Sequence, residues 1–209
     1  MQASGFVLAG GASKRMGQDK ALLPYRGTTL VEHVAKIVSE AVGSVALIGD
    51  PDRLGHLGLR VFPDEQPGSG PASGIHTALR VTETDWNLVL ACDMPGVSAD
   101  ILRDLLRAAE TSVRNCVAAI GPYGQPEPLC AVYHRRGLPA LTRAIRDKRL
   151  RMRDLVKEIG AVWIPVDPSV LANVNTPAEW AEFESKPSCQ INSITLSFAM
   201  FIRRLIARF

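Results

Sequence analysis

The chain has 209 residues, of which 46% are hydrophobic and 22% charged, and it carries a formal net charge of +3. These are ordinary values for a packed globular domain, and they exclude a disordered, collagen-like or polytopic membrane protein. The charge is uneven. Lys186, Arg203, Arg204 and Arg208 face no acid after residue 185, while the first 185 residues carry 20 bases against 21 acids, so the body is not a basic nucleic-acid binder.

Apolar strands and helical patterns alternate from the start. Phe6–Ala9 reads as a buried strand ended by Gly10-Gly11. Thr28 or Thr29 caps a helix to about Val42, with Leu30, Val34, Ile37, Val38 and Ala41 on one face. Val45–Ile48 and Leu59–Phe62 are predicted strands, and Pro71–Val81 a helix. Trp86–Ala91 is the most apolar strand and runs into Cys92-Asp93-Met94-Pro95. Ser98 caps a helix whose Ile101, Leu102, Leu105, Leu106 and Ala109 face inward. Cys116–Ile120 and Leu129–Tyr133 read as strands around a turn-rich segment. Leu138–Ile145 and Met152–Ile159 read as helices, and Ala161–Pro165 as a last strand. Thr176-Pro177-Ala178-Glu179 is a capping box.

Strands alternating with helices of this length predict an α/β, Rossmann-like, doubly wound and mostly parallel sheet in one domain over residues 1–185. Ile191, Ile194, Phe198, Phe201, Leu205 and Phe209 lie at spacings of three and four. They make residues 186–209 a basic amphipathic tail, read as an added helix packing on the body or a partner chain. Its arginines argue against a membrane span, which leaves only membrane-surface contact as a lesser alternative. Cys92, Cys116, Cys130 and Cys189 form no C-x-x-C pair and no zinc spacing, so they are expected to be buried, reduced thiols. No basic region precedes the short apolar run Gly5–Gly11, so no signal peptide is expected and the location is read as cytoplasmic.

In such sheets ligands lie outside the carboxyl ends of the strands. There the loop Gly10–Lys20 offers backbone N–H groups to an anion and carries Arg15 and Lys20 towards a polyphosphate. It lacks the Gly-Lys-Ser/Thr of a P-loop and the third glycine of a dinucleotide fingerprint. Asp64 follows the third strand, and Gly68–Gly74 opens a helix. Asp93 ends the most buried strand, where a carboxylate needs a partner: a helix N-terminus or Mg²⁺. Asn173 and Asn175 precede the final helix. Thr176 supplies the cap, which leaves Asn175 to point at a ligand. Together these residues describe a nucleoside-triphosphate site attacked at the α-phosphorus, with positional and electrostatic catalysis. His33, His56, His76 and His134 are scattered and read as surface or packing residues.

Leu8-Ala9-Gly10-Gly11-x-Ser13-x-Arg15-Met16-Gly17-x-Asp19-Lys20 resembles the signature of molybdenum cofactor guanylyltransferases, in the nucleotidyltransferase superfamily. Asp64 with Gly70-Pro71-x-x-Gly74, Cys92-Asp93-Met94-Pro95 and Asn173-Val174-Asn175-Thr176-Pro177 extend the likeness over roughly residues 4–185. The resemblance implies transfer of GMP from GTP to the terminal phosphate of molybdenum-molybdopterin with release of pyrophosphate. It implies that Leu8, Ala9, Gly10 and Gly11 lie along the guanine and ribose, and that Arg15 and Lys20 hold phosphates. Asp64 would contact the nucleotide, and Asp93, with Asn175, would bind Mg²⁺. Asn173, Asn175 and Pro128 would lie on the pterin side, where the loop Gly121–Pro128 and Pro128-Leu129 help form the pocket. Transient contact with molybdoenzymes or cofactor-delivery proteins follows from the same resemblance. Asp50 stands where the family often has an Asn against the nucleotide, and Ser73 where Ala is common. The cytidine branch resembles Leu-Ala-Ala-Gly. A cytidylyltransferase, another small-phosphate nucleotidyltransferase and a non-catalytic nucleotide-binding module remain the alternatives.

Overall fold

The computed structural model describes residues 1–10, 19–121 and 124–185. Gly11, Arg15, Cys189 and the 186–209 tail lie outside the described residues.

Seven strands form one sheet: β1 (Ala3–Leu8), β4 (Ala46–Ile48), β5 (Arg60–Phe62), β6 (Trp86–Ala91), β7 (Cys116–Ile120), β8 (Pro126–His134) and β9 (Ala161–Pro165). Their spatial order is β5-β4-β1-β6-β8-β7-β9. β2 (Pro24–Tyr25) and β3 (Thr28–Thr29) make a separate small hairpin, which the sequence patterns did not announce because each strand has only two residues. β5, β4, β1 and β6 run parallel, as do β7 and β9. β8 is antiparallel to both β6 and β7. Its direction follows from the tight turn before it, where Gly121 N donates to Gln125 O at 2.9 Å, since so short a connection joins only antiparallel strands.

Side chains alternate across β1. Ala3 and Val7 join a core with α1 (Leu30–Val42) and α4 (Ala99–Glu110), while Phe6 joins a second core on the opposite face. That second core contains α3 (Pro71–Val81), α5 (Leu138–Arg146) and α6 (Met152–Ile159). Covering on both faces explains why β6 is apolar at every position but Asn87, with all six residues buried. α1 starts with a reciprocal capping box. Thr29 N donates to Glu32 Oε2 at 2.8 Å, and Glu32 N to Thr29 Oγ1 at 3.4 Å. Its tight seat needs Gly5, where a Cβ would come within 2.4 Å of Val38 Cγ1 and 2.6 Å of the Ser44 carbonyl. A short helix, α2 (Pro51–Leu54), follows β4, and α7 (Pro177–Ser185) follows the capping box expected at Thr176. Cys92, Cys116 and Cys130 are free thiols, and burial pushes the Cys92 thiol up to about 12. Among the described residues no helix is long and apolar enough to cross a membrane.

Candidate active site

The backbone ladder continues one residue past the strands on the carboxyl side of the sheet. Ala9 N donates to Ile48 O at 2.9 Å and Cys92 N to Leu8 O at 3.1 Å. The turn after β6 is pinned by fully buried Met94, whose N–H reaches Ala91 O at 3.3 Å, so Asp93 projects from a rigid base. Lys20 approaches from the other side on a single 3₁₀ turn (Lys20–Leu22). The Asp19 carboxylate caps that turn by accepting from Ala21 N at 3.1 Å. The third contributor comes from the far end of the chain. Val174 N donates to Asp93 O at 2.9 Å, which lays the Asn173–Thr176 segment along the same turn.

These three segments meet at one ammonium. Lys20 Nζ donates to Asp93 Oδ2 at 3.0 Å and to Asn175 Oδ1 at 2.9 Å. Lys20 is only 8% exposed, a position an ammonium tolerates only with such partners. Asn175 is available because the α7 cap is satisfied without its side chain. The Glu179 carboxylate accepts from Asn175 N at 2.6 Å and Thr176 N at 2.9 Å, while Glu179 N donates to Thr176 Oγ1 at 3.2 Å. The Asn175 amide, first among these contacts, holds the Glu179 carboxyl below its usual range.

Asp93 Oδ1 is buried and has no hydrogen-bond partner among the described residues. An unpaired carboxylate oxygen beside an amide carbonyl oxygen is a hard, oxygen-only donor set that fits Mg²⁺. Among the described residues no three His, Cys, Asp or Glu side chains converge to hold a metal by themselves, so phosphate oxygens would have to complete its shell.

The remaining expected residues fall at separate places along the same edge. Ala9 is buried, and its carbonyl accepts from Arg53 Nη2. The other guanidinium nitrogen, Arg53 Nη1, donates to both Asp19 oxygens at 2.8 Å. Arg53 thus ties Ala9 to Asp19, spanning the two ends of the loop that carries Arg15. No motif marks it. Its only sequence signal is a single base just after Pro51, past the second strand of the parallel run. A Cβ on Gly10 would meet no described atom within 4 Å. Leu8 packs on α3, where Gly74 admits it: a Cβ there would lie 3.1 Å from Leu8 Cδ2. Asp50 is exposed and accepts from Asp52 N at 3.0 Å as the cap of α2, a structural role the sequence reading did not give it.

Asp64 is fixed within its own loop. Ser73 Oγ donates to Asp64 Oδ1, and Gln66 N reaches Asp64 Oδ1 at 3.1 Å and Ser73 Oγ at 3.2 Å. Ser73, which the sequence marked only as an unusual residue, is fully buried and orients that carboxylate. Gly70 opens α3 at φ 61° and ψ −153°, a backbone region open essentially to glycine alone, and no side chain caps the helix. Pro128 is buried, and its carbonyl accepts from Tyr133 Oη at 2.7 Å. It borders a cleft of about 540 Å³ between β8 and α6. Asn173 is exposed beside Val174.

Residues 5–162 match the MobA-like NTP transferase domain. The chain belongs to that family. Within it, the chain is 34% identical over 182 residues to a probable molybdenum cofactor guanylyltransferase of Carboxydothermus hydrogenoformans, covering 83% of this chain and 91% of that one. It is 32% identical to a protein of the same description from Bacillus subtilis, covering 86% and 94%. Among solved structures, molybdopterin-guanine dinucleotide biosynthesis protein A of Archaeoglobus fulgidus superposes with a TM-score of 0.74 at 27% identity, covering 88% of this chain and 97% of that one. A CMP:2-keto-3-deoxy-manno-octonic acid synthetase shares the fold alone, at 14% identity and a TM-score of 0.71. The MobA-like chain is thus a nucleotidyltransferase whose doubly wound fold matches its sequence reading.

Proposed function

We propose that this enzyme transfers GMP from GTP to the terminal phosphate of molybdenum-molybdopterin, forming the guanine dinucleotide form of the cofactor. The observation that carries the reading is the meeting of Lys20, Asp93 and Asn175 at the carboxyl end of a central strand. The full-length relatives described as guanylyltransferases support the choice of nucleotide and acceptor.

In the proposed step an oxygen of the pterin's terminal phosphate attacks the α-phosphorus of GTP in line. The Pα–O bond to the β-phosphate breaks, and pyrophosphate leaves with the bonding electrons. Lys20 neutralises phosphate charge, together with Arg15 from the preceding loop. Asp93 and Asn175 would hold Mg²⁺, which would supply charge stabilisation to the triphosphate. Arg53 keeps the two ends of the nucleotide loop together, so that its amides are set before the substrate arrives. Gly10 leaves the base side unobstructed, which suits guanine. Asp64, held by Ser73, faces the nucleotide, and Pro128 and Asn173 lie on the acceptor side. The reading includes a cytoplasmic location and transient contact with molybdoenzymes or delivery proteins.

The test is pyrophosphate release with purified protein. The reading requires release that depends on GTP, on Mg²⁺ and on molybdopterin together. Turnover with CTP instead, or with a sugar phosphate as acceptor, would assign the chain to a sister activity.

A further inference from the structure

The connection between α5 and α6 carries the densest run of bases in the chain, and the site described above makes no use of it. Residues 146–153 read Arg-Asp-Lys-Arg-Leu-Arg-Met-Arg, five bases against one acid. All five bases are exposed. With them set apart, the 20 bases and 21 acids of residues 1–185 become 15 and 20, so a positive turn stands on an otherwise acidic body. The fold brings this turn to the working edge of the sheet. The start of β8 lies beside the end of β6, where Leu90 pairs with Cys130. Across the cleft from Pro126–Leu129 stand Arg151, Met152 and Arg153, so the turn forms the outer wall of that cleft.

Folding alone does not explain these charges. α5 closes as a Schellman motif, in which Lys148 N donates to Ile145 O at 3.1 Å and Arg149 N to Ala144 O at 2.8 Å. Lys148 holds the left-handed position of that motif at φ 55°. Glycine fills such a position at least conformational cost, so a lysine there is selected for its side chain rather than its backbone. A cation near a helix C-terminus offsets the dipole, but Arg143 and Arg146 in the last turn of α5 already do so. Nor does internal pairing consume the charge. Asp147 lies 2.9 Å from Arg146 and 3.8 Å from Arg149, whose other partner is Glu158 at 2.5 Å. Arg151 lies 3.9 Å from Asp154, while Lys148 and Arg153 form no ion pair among the described residues.

Four of the five bases are arginines, whose planar forks suit carboxylates and phosphates alike. The neighbouring acids decide between these. Asp147 stands amid the bases, and Asp154 and Glu158 flank them. A continuous phosphate backbone or an anionic bilayer would meet those fixed carboxylates, and the acidic remainder of the body would repel either. A protein surface with separated carboxylates can interleave with the pattern. The 186–209 tail, with four bases and no acid, has the wrong sign to cover it. We propose that the α5–α6 turn docks an acidic segment of a protein partner and holds that partner over the mouth of the cleft bordered by Pro128. The second half rests on the acceptor side assigned under Proposed function. It makes the turn the place where a protein that supplies the acceptor, or takes up the product, meets the enzyme.

The probe is a fluorescein-labelled peptide of glutamates interrupted by alanines, titrated with the full-length protein and followed by anisotropy. Wild type should bind it, more weakly as salt rises. Arg146→Gln combined with Lys148→Gly removes two charges outside the cleft lining and should weaken binding by roughly five- to thirty-fold. Because glycine suits φ 55°, the melting temperature of Lys148→Gly should not fall, which separates docking from folding. In the transfer assay the bound peptide should raise KM for molybdopterin and leave KM for GTP within about two-fold. The double variant should escape that inhibition while its turnover of free molybdopterin stays at the wild-type level. Unchanged peptide binding in the double variant overturns the proposal. So does tighter binding of duplex DNA or of phosphatidylserine vesicles than of the peptide at the same salt. A dimer in light scattering that dissociates in the double variant overturns it in favour of a second copy of this chain. Slower turnover of free molybdopterin in the double variant overturns it by making the turn part of the substrate site. Binding at the turn that leaves KM for molybdopterin unchanged overturns the placement over the cleft. Binding at the turn, together with pyrophosphate release that ignores molybdopterin, upholds the docking surface and overturns the acceptor reading instead.

Discussion

Lys20, Asp93 and Asn175 were legible one by one before they were seen together. Each is a residue whose chemistry is hard to explain where the pattern places it: a base in a glycine-rich loop, an acid at the end of a buried strand, an amide beside a cap already filled by Thr176. The contacts add that one ammonium joins all three, and that Asp93 keeps one oxygen unpaired among the described residues. Asp93→Asn should therefore lower the rate of pyrophosphate release by at least about 10²–10³-fold while the circular dichroism spectrum stays native. Activity near wild type would remove Asp93 from the chemistry. Gly10 gives a finer test of base choice. Since a methyl there meets no described atom, Gly10→Ala should leave the melting temperature unchanged, and any effect should fall on the ligand. We expect kcat/KM for GTP to drop by roughly 10–200-fold without conversion to CTP. Unchanged GTP use would mean that position 10 does not face the base. Arg53 was not legible, because its partners are a backbone carbonyl and a capping carboxylate, neither of which leaves a mark in sequence.

At the level of elements, boundaries came out well wherever a chemical stop exists. α3 begins at Pro71 after a glycine in a glycine-only conformation, α6 ends at Gly160 with φ 86°, and β6 is bounded by polar turns. Strand direction came out less well, because hydrophobic pattern is blind to it and only the tight turn between β7 and β8 carries it. α7 shows a third case. It contains no buried residue, yet it delivers Asn175. It is held by rings: Trp180 and Phe183 lie 5.6 and 5.5 Å from Tyr25 of the β2–β3 hairpin, and His33 stands edge-on to that same ring at 4.6 Å. Pairs of this kind contribute about 0.5–1.5 kcal/mol each beyond area burial. Trp180→Ala should thus change global melting little but cut transfer activity by about ten-fold or more, through loss of Asn175 placement. Full activity in a variant whose helix has come loose, as read by proteolysis near residue 180, would show that α7 is only decoration.

The whole molecule has a pH dependence built into its burial of imidazoles. His33, His76 and His134 are each held below the usual histidine range, in every case chiefly by burial. His76 is the tightest, 3% exposed, with Nε2 3.1 Å from Thr142 Oγ1 and Nδ1 3.8 Å from Glu65 Oε2, whose charge opposes the effect of burial without outweighing it. Above about pH 7.5, a unit past the unperturbed histidine value, these groups are neutral in both folded and unfolded chains and add no pH dependence. Below it the unfolded chain takes up protons first, so stability falls until the folded histidines protonate as well. The melting temperature should accordingly drop between pH 7.5 and 5.5, and His76→Gln should show a smaller drop. A flat profile across that range would mean that the buried rings are solvated more readily than their surroundings suggest.

Asn175 lies 155 residues from Lys20 along the chain. During synthesis the segment carrying Lys20 and the strand leading to Asp93 leave the ribosome long before Asn175 exists. A nascent or truncated chain that has built most of its sheet therefore still lacks one corner of the site. Contacts of such long sequence separation form late and slowly. The contact from Lys20 to Asn175 makes chemical competence report on the completed domain, so that triphosphate turnover should switch on only after the last helix has docked.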